Sequence, residues 1–146
     1  MTLHSLRDRA LLVAPIRVLL GFVWVAVAIP AGAGKGPALL AAASSAFIIV
    51  FVAFNDPRSR FRGSPEIKPM PEDAKVAPWL EQALRATLPS TVGVSVLAAV
   101  ALFPQPIMAA FLGGISVGLG AAGVLGAALQ DPALYLDPRT GAVYRK

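Results

Sequence analysis

The sequence predicts an all-α integral membrane protein. Four transmembrane helices form two tandem helical hairpins, both ends lie in the cytoplasm, and the chain closes on a short C-terminal β-hairpin-like tail. Three observations carry this. Only 14% of the 146 residues are charged and 56% are hydrophobic, where a soluble domain carries about 25% charged residues. The charges are gathered into an N-terminal tail, a middle loop and a C-terminal tail, with long, nearly uncharged stretches between them. Prolines stand at the edges of those stretches, where they suit a helix start and block continuation past a helix end.

A bilayer core of about 30 Å needs about 20 apolar residues in helix. The first span runs from Ala10 to Ile29 and stops at Pro30, and the second opens at Pro37 and runs to Phe54. The third, Leu88 to Phe103, is short, with Pro89 at its start and Pro104 at its end; the fourth is Ile107 to Leu129, preceded by Pro106. The outer turns are then Ala31 to Gly36 and Pro104 to Pro106. Arg7 and Arg9, the apolar run and Ala31-Gly32-Ala33 also resemble a secretory signal peptide. Signal cores run about 7–15 residues, however, so the longer run reads as a retained helix. The predicted organisation is residues 1–57 for the first hairpin and 58–77 for a basic, proline-rich loop. Residues 78–132 hold an amphipathic helix and the second hairpin, and 133–146 form the tail.

Orientation follows from the positive-inside rule. Arg7 and Arg9 precede the first span. Arg58, Arg60, Arg62, Lys68, Lys75 and Arg85 fill the middle loop, and Arg139, Arg145 and Lys146 end the chain. Lys35 alone falls in an outer turn. The same distribution turns the formal charge of +5 away from nucleic acid and toward the anionic headgroups that basic juxtamembrane segments attract. Pro57, Pro65, Pro69 and Pro71 make the loop an extended, partly polyproline-like chain. Pro78 then opens a helix with Trp79, Leu80, Ala83, Leu84 and Leu88 on one face and Glu81, Gln82 and Arg85 on the other. Such a helix lies at the membrane surface. In the tail, Asp137-Pro138-Arg139-Thr140-Gly141 between alternating residues is a turn signal. An isolated hairpin is marginal in water, so it requires a partner, for which the middle loop, another subunit or a different protein are the choices.

An internal repeat is visible. Pro15-Ile16-Arg17-Val18 matches Pro89-Ser90-Thr91-Val92, Pro30 matches Pro104, and Asn55-Asp56-Pro57 matches Gln130-Asp131-Pro132. Two such hairpins enter from the same side, as parallel repeats about an axis along the membrane normal. The Asp-Pro elements also serve as plain helix terminators, because the residue before proline leaves the α region. Two-helix hairpins with proline edges and a basic inner loop resemble the membrane part of fusaric-acid-resistance-type exporters over the first hairpin. No residue's role is carried over from that likeness.

Chemistry is sparse. The chain has no cysteine, which excludes disulfides, thiolate metal sites and cysteine nucleophiles. His4, the single histidine, reads as a solvated tail residue. No acidic residue lies within a span, and paired carboxylates, a Ser–His pair and metal-ligand spacing are missing. The sequence therefore predicts no catalytic site, no cofactor and no metal. Gly32-Ala33-Gly34-Lys35-Gly36 departs from a phosphate loop at Ile29 and Gly36 and reads as a flexible turn. Ser44, Ser45, Ser90, Thr91, Ser95 and Ser116 read as residues that satisfy helix backbones or neighbours. Trp24 and the Phe47, Phe51, Phe54 stripe read as packing or lipid contacts.

Arg17 is the one ionisable residue well inside a span, about two turns from the cytoplasmic end. It either snorkels to the interface or pairs with Asp56 or Asp131 in a polar cluster at the cytoplasmic mouth, where an anionic substrate or headgroup would meet it. On the fourth span, Ala110, Gly114, Gly118, Ala122 and Gly126 recur every four residues, joined by Gly113, Gly120 and Gly123. Such a small-residue ridge lets a second helix backbone approach closely, either from the same chain or from a second copy.

The expected function is that of a non-catalytic membrane subunit or accessory protein that packs through the glycine-rich fourth helix. The alternative is a small oligomeric transporter or channel with a site between the two hairpins near Arg17. An enzyme ranks behind both. The expected partners are the lipid bilayer, anionic headgroups at the basic loop, and a homo-oligomer or a membrane partner subunit. The expected location is a bacterial plasma or inner membrane.

Overall fold

A computed structural model describes residues 2–55, 67–87, 90–129 and 131–146. Strand β1 (Thr2–Ser5) leads directly into α1 (Leu6–Ala28), followed by a five-residue π-helical turn (Ile29–Ala33) and α2 (Lys35–Asn55). Strands β2 (Ile67–Pro69) and β3 (Lys75–Val76) precede α3 (Trp79–Thr87), α4 (Ser90–Ala101) and α5 (Pro106–Leu129). The chain ends in β4 (Leu134–Leu136) and β5 (Val143–Arg145). Asp56, Pro57, Arg58, Arg60, Arg62, Pro65, Leu88, Pro89 and Gln130 lie outside the described residues.

Among the described residues, three helical segments are long and apolar enough to cross a membrane: Leu6–Ala33, Lys35–Asn55 and Pro106–Leu129. The third predicted span is shorter than expected. At 12 residues, α4 reaches only about 18 Å of the roughly 30 Å needed. Taken together with α3, from which it is bent by 44°, it forms a further candidate. α1 begins four residues earlier than the hydrophobic run indicates. Ser5 is its N-cap and accepts from the Asp8 amide at 3.2 Å, satisfying one of the free donors at the helix start.

The fourth apolar helix, α5, is the centre of the bundle. Its glycines fall on two faces rather than one. Gly113 and Gly120 meet Gly21, Val25, Ala14 and Val18 of α1. Gly114 and Gly118 meet Ala42, Ser45, Ala46 and Ile49 of α2. The paired positions run in opposite senses on α1 and α5 and in the same sense on α2 and α5. A Cβ on Gly118 would stand 2.8 Å from the Ala46 carbonyl oxygen, a separation only glycine tolerates. The small-residue ridge is therefore consumed within the chain and is not an exposed seam for a second copy. Ala110, Gly114, Gly118 and Gly126 are buried and Ala122 is half-buried. Ser45 and Ser116 add hydrogen bonds across the same faces, to the carbonyls of Phe111 (2.8 Å) and Arg17 (3.0 Å). Trp24 packs its Cβ against α5 at Gly113.

The outer face is apolar. Leu19, Phe22, Leu40, Phe47, Phe51, Val96 and Val100 are exposed, Phe47 by 69%, and the Phe47 and Phe51 rings stack with centroids 6.1 Å apart. In lipid such exposure carries no cost. The repeat is not expressed as a two-fold arrangement: α1 packs along α5, whereas α2 makes no comparable packing against the shorter α4. Both hairpin turns lie at one end. Gly32, at φ 118°, sits there beside Pro106, and Ala28, Ala33, Ala38, Ala109 and Ala110 form a small apolar core.

At the opposite end the tail finds its partners. β4 and β5 form the expected hairpin, with Tyr135 opposite Tyr144. β5 pairs in parallel with β2 of the middle loop, and β4 pairs with β1 of the N-terminal tail. β3 completes a five-stranded sheet in the order β2-β5-β4-β1-β3. In the turn, Asp137 accepts from the Arg139 amide (2.9 Å) and the Thr140 hydroxyl (2.7 Å), and Gly141 adopts φ 73°, which favours glycine. These hydrogen bonds hold the Asp137 carboxyl below its ordinary value. A depressed carboxylate contributes stability that is present above its unfolded pKa of about 3.9 and is lost as pH falls through the lower folded value. Exchange protection of the Arg139 amide, corrected for intrinsic rates, is expected to persist from pH 7 to pH 5. It should be weakened at both pH values by Asp137→Ala; equal protection in that variant would show that the carboxylate does not hold the turn.

Candidate functional site

The polar mouth of the bundle is built around Arg17, at the midpoint of α1. Its Nε donates to Thr91 Oγ1 at 3.0 Å and its Nη2 donates to Ser90 Oγ at 2.8 Å. Both hydroxyls belong to the first turn of α4. Thr91 is buried, so the guanidinium holds the start of the short helix against α1. A central Arg costs roughly 2.5–3.5 kcal/mol on the insertion scale. Hydrogen bonds to hydroxyls offset part of that cost.

Of the expected acidic partners, Asp131 turns elsewhere. One carboxylate oxygen lies 2.9 Å from Arg145 Nη2 of β5, and the other accepts from the Ala133 amide at 2.9 Å. Asp131 therefore closes the tail onto the end of α5, at a site where both side chains are exposed and the pair adds little, about 0–1 kcal/mol. Asp56 lies outside the described residues. The contacts between Arg17 and the α4 hydroxyls were not anticipated, although Arg17 and Thr91 occupy the same column of the sequence repeat, 74 positions apart.

Arg9 is the second residue that sequence reasoning missed. It stands eight positions before Arg17, on the same face of α1 and about 12 Å away along the axis. Both arginines line a cleft of about 260 Å³ together with Leu6, Ala10, Val13, Ala14 and Gly123 of α5. Arg9 is half-buried and has no hydrogen-bonding or ionic partner among the described residues.

His4 contradicts its reading as a solvated tail residue. It is 1% exposed, because β1 is an inner strand of the sheet between β4 and β3. Its Nε2 finds no hydrogen-bond partner among the described residues. Burial holds the imidazole below its ordinary value, with Arg9 and Arg85 adding to that and Glu81 and Asp137 opposing it. A depressed histidine favours the neutral form, so the stability it permits is present above the unfolded pKa of about 6.5 and is lost as pH falls through the folded value. Thermal unfolding is expected to start at lower temperature at pH 5 than at pH 7.5, and His4→Leu should flatten that difference. An unchanged difference in His4→Leu would assign it to other groups.

Helix α3 faces the way its composition predicts. Trp79, Leu80 and Leu84 are exposed, Trp79 by 66%, while Gln82 is buried and donates from Nε2 to the Ala77 carbonyl at 2.7 Å. Gln82 faces the protein and the apolar residues point away, with Glu81 and Arg85 paired at 3.1 Å on the surface. Comparison with protein-family models, with curated proteins and with solved structures finds no match to this chain.

Proposed function

We propose that this chain is a non-catalytic, four-span membrane protein, an accessory subunit whose bundle anchors a cytoplasmic sheet for a partner subunit. The observation that carries this reading is the closure of the bundle. α5 presses backbone to backbone against α1 and α2 through Gly113, Gly114, Gly118 and Gly120, so the centre is filled by the chain itself. A protein built this way holds its shape and offers its ends. The sheet end collects the N-terminal tail, the middle loop and the C-terminal tail, and with them Arg7, Lys68, Lys75, Arg139, Arg145 and Lys146; the turn end carries Lys35 alone. By the positive-inside rule the sheet end faces the cytoplasm. The bent α3–α4 pair then supplies the fourth crossing, with the exposed apolar face of α3 turned to the lipid.

The chain has no native cysteine, so single cysteines report sidedness cleanly. A cysteine at Gly34 is expected to react with an impermeant reagent applied to intact cells, and one at Thr140 only after permeabilisation. After mild extraction the chain should travel with a second membrane protein in fixed stoichiometry. A homo-oligomer that carries solute flux in proteoliposomes would overturn the accessory reading. That outcome would favour the second one, a small oligomeric transporter, for which the junction of Arg17 with Ser90 and Thr91 between the two hairpins speaks.

A further inference from the structure

We propose that the cleft between α1 and the end of α5 binds the phosphate of an anionic phospholipid headgroup, held by Arg9 and Arg17. Both arginines line the cleft, and the other described residues that line it, Leu6, Ala10, Val13, Ala14 and Gly123, are apolar or carry no side chain. Two cations therefore meet one hollow with no carboxylate among its described lining residues. Half-buried Arg9 has no protein partner among the described residues to repay the water it has lost. A desolvated cation is costly unless an anion joins it, and guanidinium groups match phosphate oxygens in geometry as well as charge. Arg17 is also fixed against the first turn of α4, where the positive end of the helix dipole favours a further negative group.

Size and surroundings select the ligand. Sites for drug-sized molecules run to about 300–1,000 Å³. At about 260 Å³ the cleft has room for a phosphoryl headgroup. Leu11 and the pair Val124 and Leu125, next in sequence to the lining residues Ala10 and Gly123, are exposed and apolar. An amphiphile can thus seat its phosphate between the arginines while its acyl chains run along the outer surface of the bundle. The inference rests on the bundle standing in a bilayer with its sheet end at the interface. It does not depend on the partner subunit, so its failure leaves the accessory reading intact.

Native mass spectrometry of the full chain in mild detergent, titrated with phosphatidylglycerol or with phosphatidylcholine, tests this. One molecule of phosphatidylglycerol is expected to be retained in preference to phosphatidylcholine. Arg9→Gln should weaken that retention about tenfold, the scale of one lost charge-assisted pair. Arg9→Lys should restore part of it, and Arg7→Gln, on an exposed residue outside the cleft, should leave it unchanged. Arg17→Gln should weaken it as well; because that change also releases α4, the Arg9 variants carry the decision. Displacement of the lipid by millimolar inorganic phosphate would assign the cleft to a free anion and overturn the lipid assignment. Equal retention of both lipids, or retention indifferent to Arg9→Gln, would overturn the site.

Discussion

Gly114→Leu is expected to unseat α2 from α5 and to lower the thermal unfolding temperature in mild detergent more than any other single substitution in the bundle. A Cβ at this position would overlap the Ser45 hydroxyl and the carbonyl oxygen and Cα of Ala42. Two of these three atoms are backbone and cannot rotate away, so relief requires the helices to part. Overpacking in a well-packed core costs about 1–3 kcal/mol, occasionally more. Here the displaced helix also loses the bond from Ser45 to Phe111, worth about 0.6 kcal/mol in a membrane setting. Helix propensity works in the opposite direction, since leucine is favoured over glycine by nearly 1 kcal/mol in a helix interior, and the steric term outweighs it. Gly93→Ala in α4 isolates the propensity term: its Cβ would meet nothing within 4 Å, and the variant should be as stable as the wild type or slightly more so. Equal unfolding temperatures for Gly114→Leu and the wild type would mean that α2 does not sit on this face.

The second large effect is expected at Arg17. Arg17→Leu removes a charge from the span, which eases insertion of α1 by up to roughly 2.5–3.5 kcal/mol. It also removes both bonds to α4 and leaves the buried Thr91 hydroxyl without its donor. Interhelical hydrogen bonds in membranes average about 0.6 kcal/mol, with a maximum near 1.7, so the two bonds together lie on the order of 1–3 kcal/mol. The two effects act on different steps. Insertion should be equal or better, while the docking of α4 weakens. Thr91→Val in the same background separates them. If Arg17 and Thr91 are coupled as the geometry requires, the double variant is less destabilised than the sum of the two single ones. Strict additivity, measured by unfolding in a denaturing detergent, would deny the contact.

The contrast between these two sites marks what the sequence makes legible. The close approach at Gly114 and Gly118 is written in the spacing of small residues, because only glycine permits backbones to meet and lipid supplies no competing drive. What the spacing leaves open is whose backbone approaches. Glycines at 113 and 120 as well as 114 and 118 give two faces, and two faces call for two neighbours, which α1 and α2 supply within one chain. The tail hairpin was legible from Asp137 to Gly141 because turn residues act locally. Its pairing with β1 was not: four residues at the start of the chain carry no periodicity, and His4 is buried only because a strand on either side buries it. Arg17 was visible as an anomaly. Its contacts were not, since hydroxyls are common in spans and nothing local distinguishes Ser90 and Thr91 from Ser44, which is exposed.

The sheet also sets an order of events. β1 precedes α1 in the sequence and β4 and β5 follow α5, yet β4 separates β1 from β5 in the finished sheet. The strand that buries His4 is synthesised only after every helix has been made. Until then the N-terminal segment waits, with β3 as the one neighbour it can recruit from the middle of the chain. Closure of the sheet thus depends on strands that follow α5 in the sequence. A chain stopped before Asp131 would still hold all five helices but would leave β1 and β2 without the strands that join them.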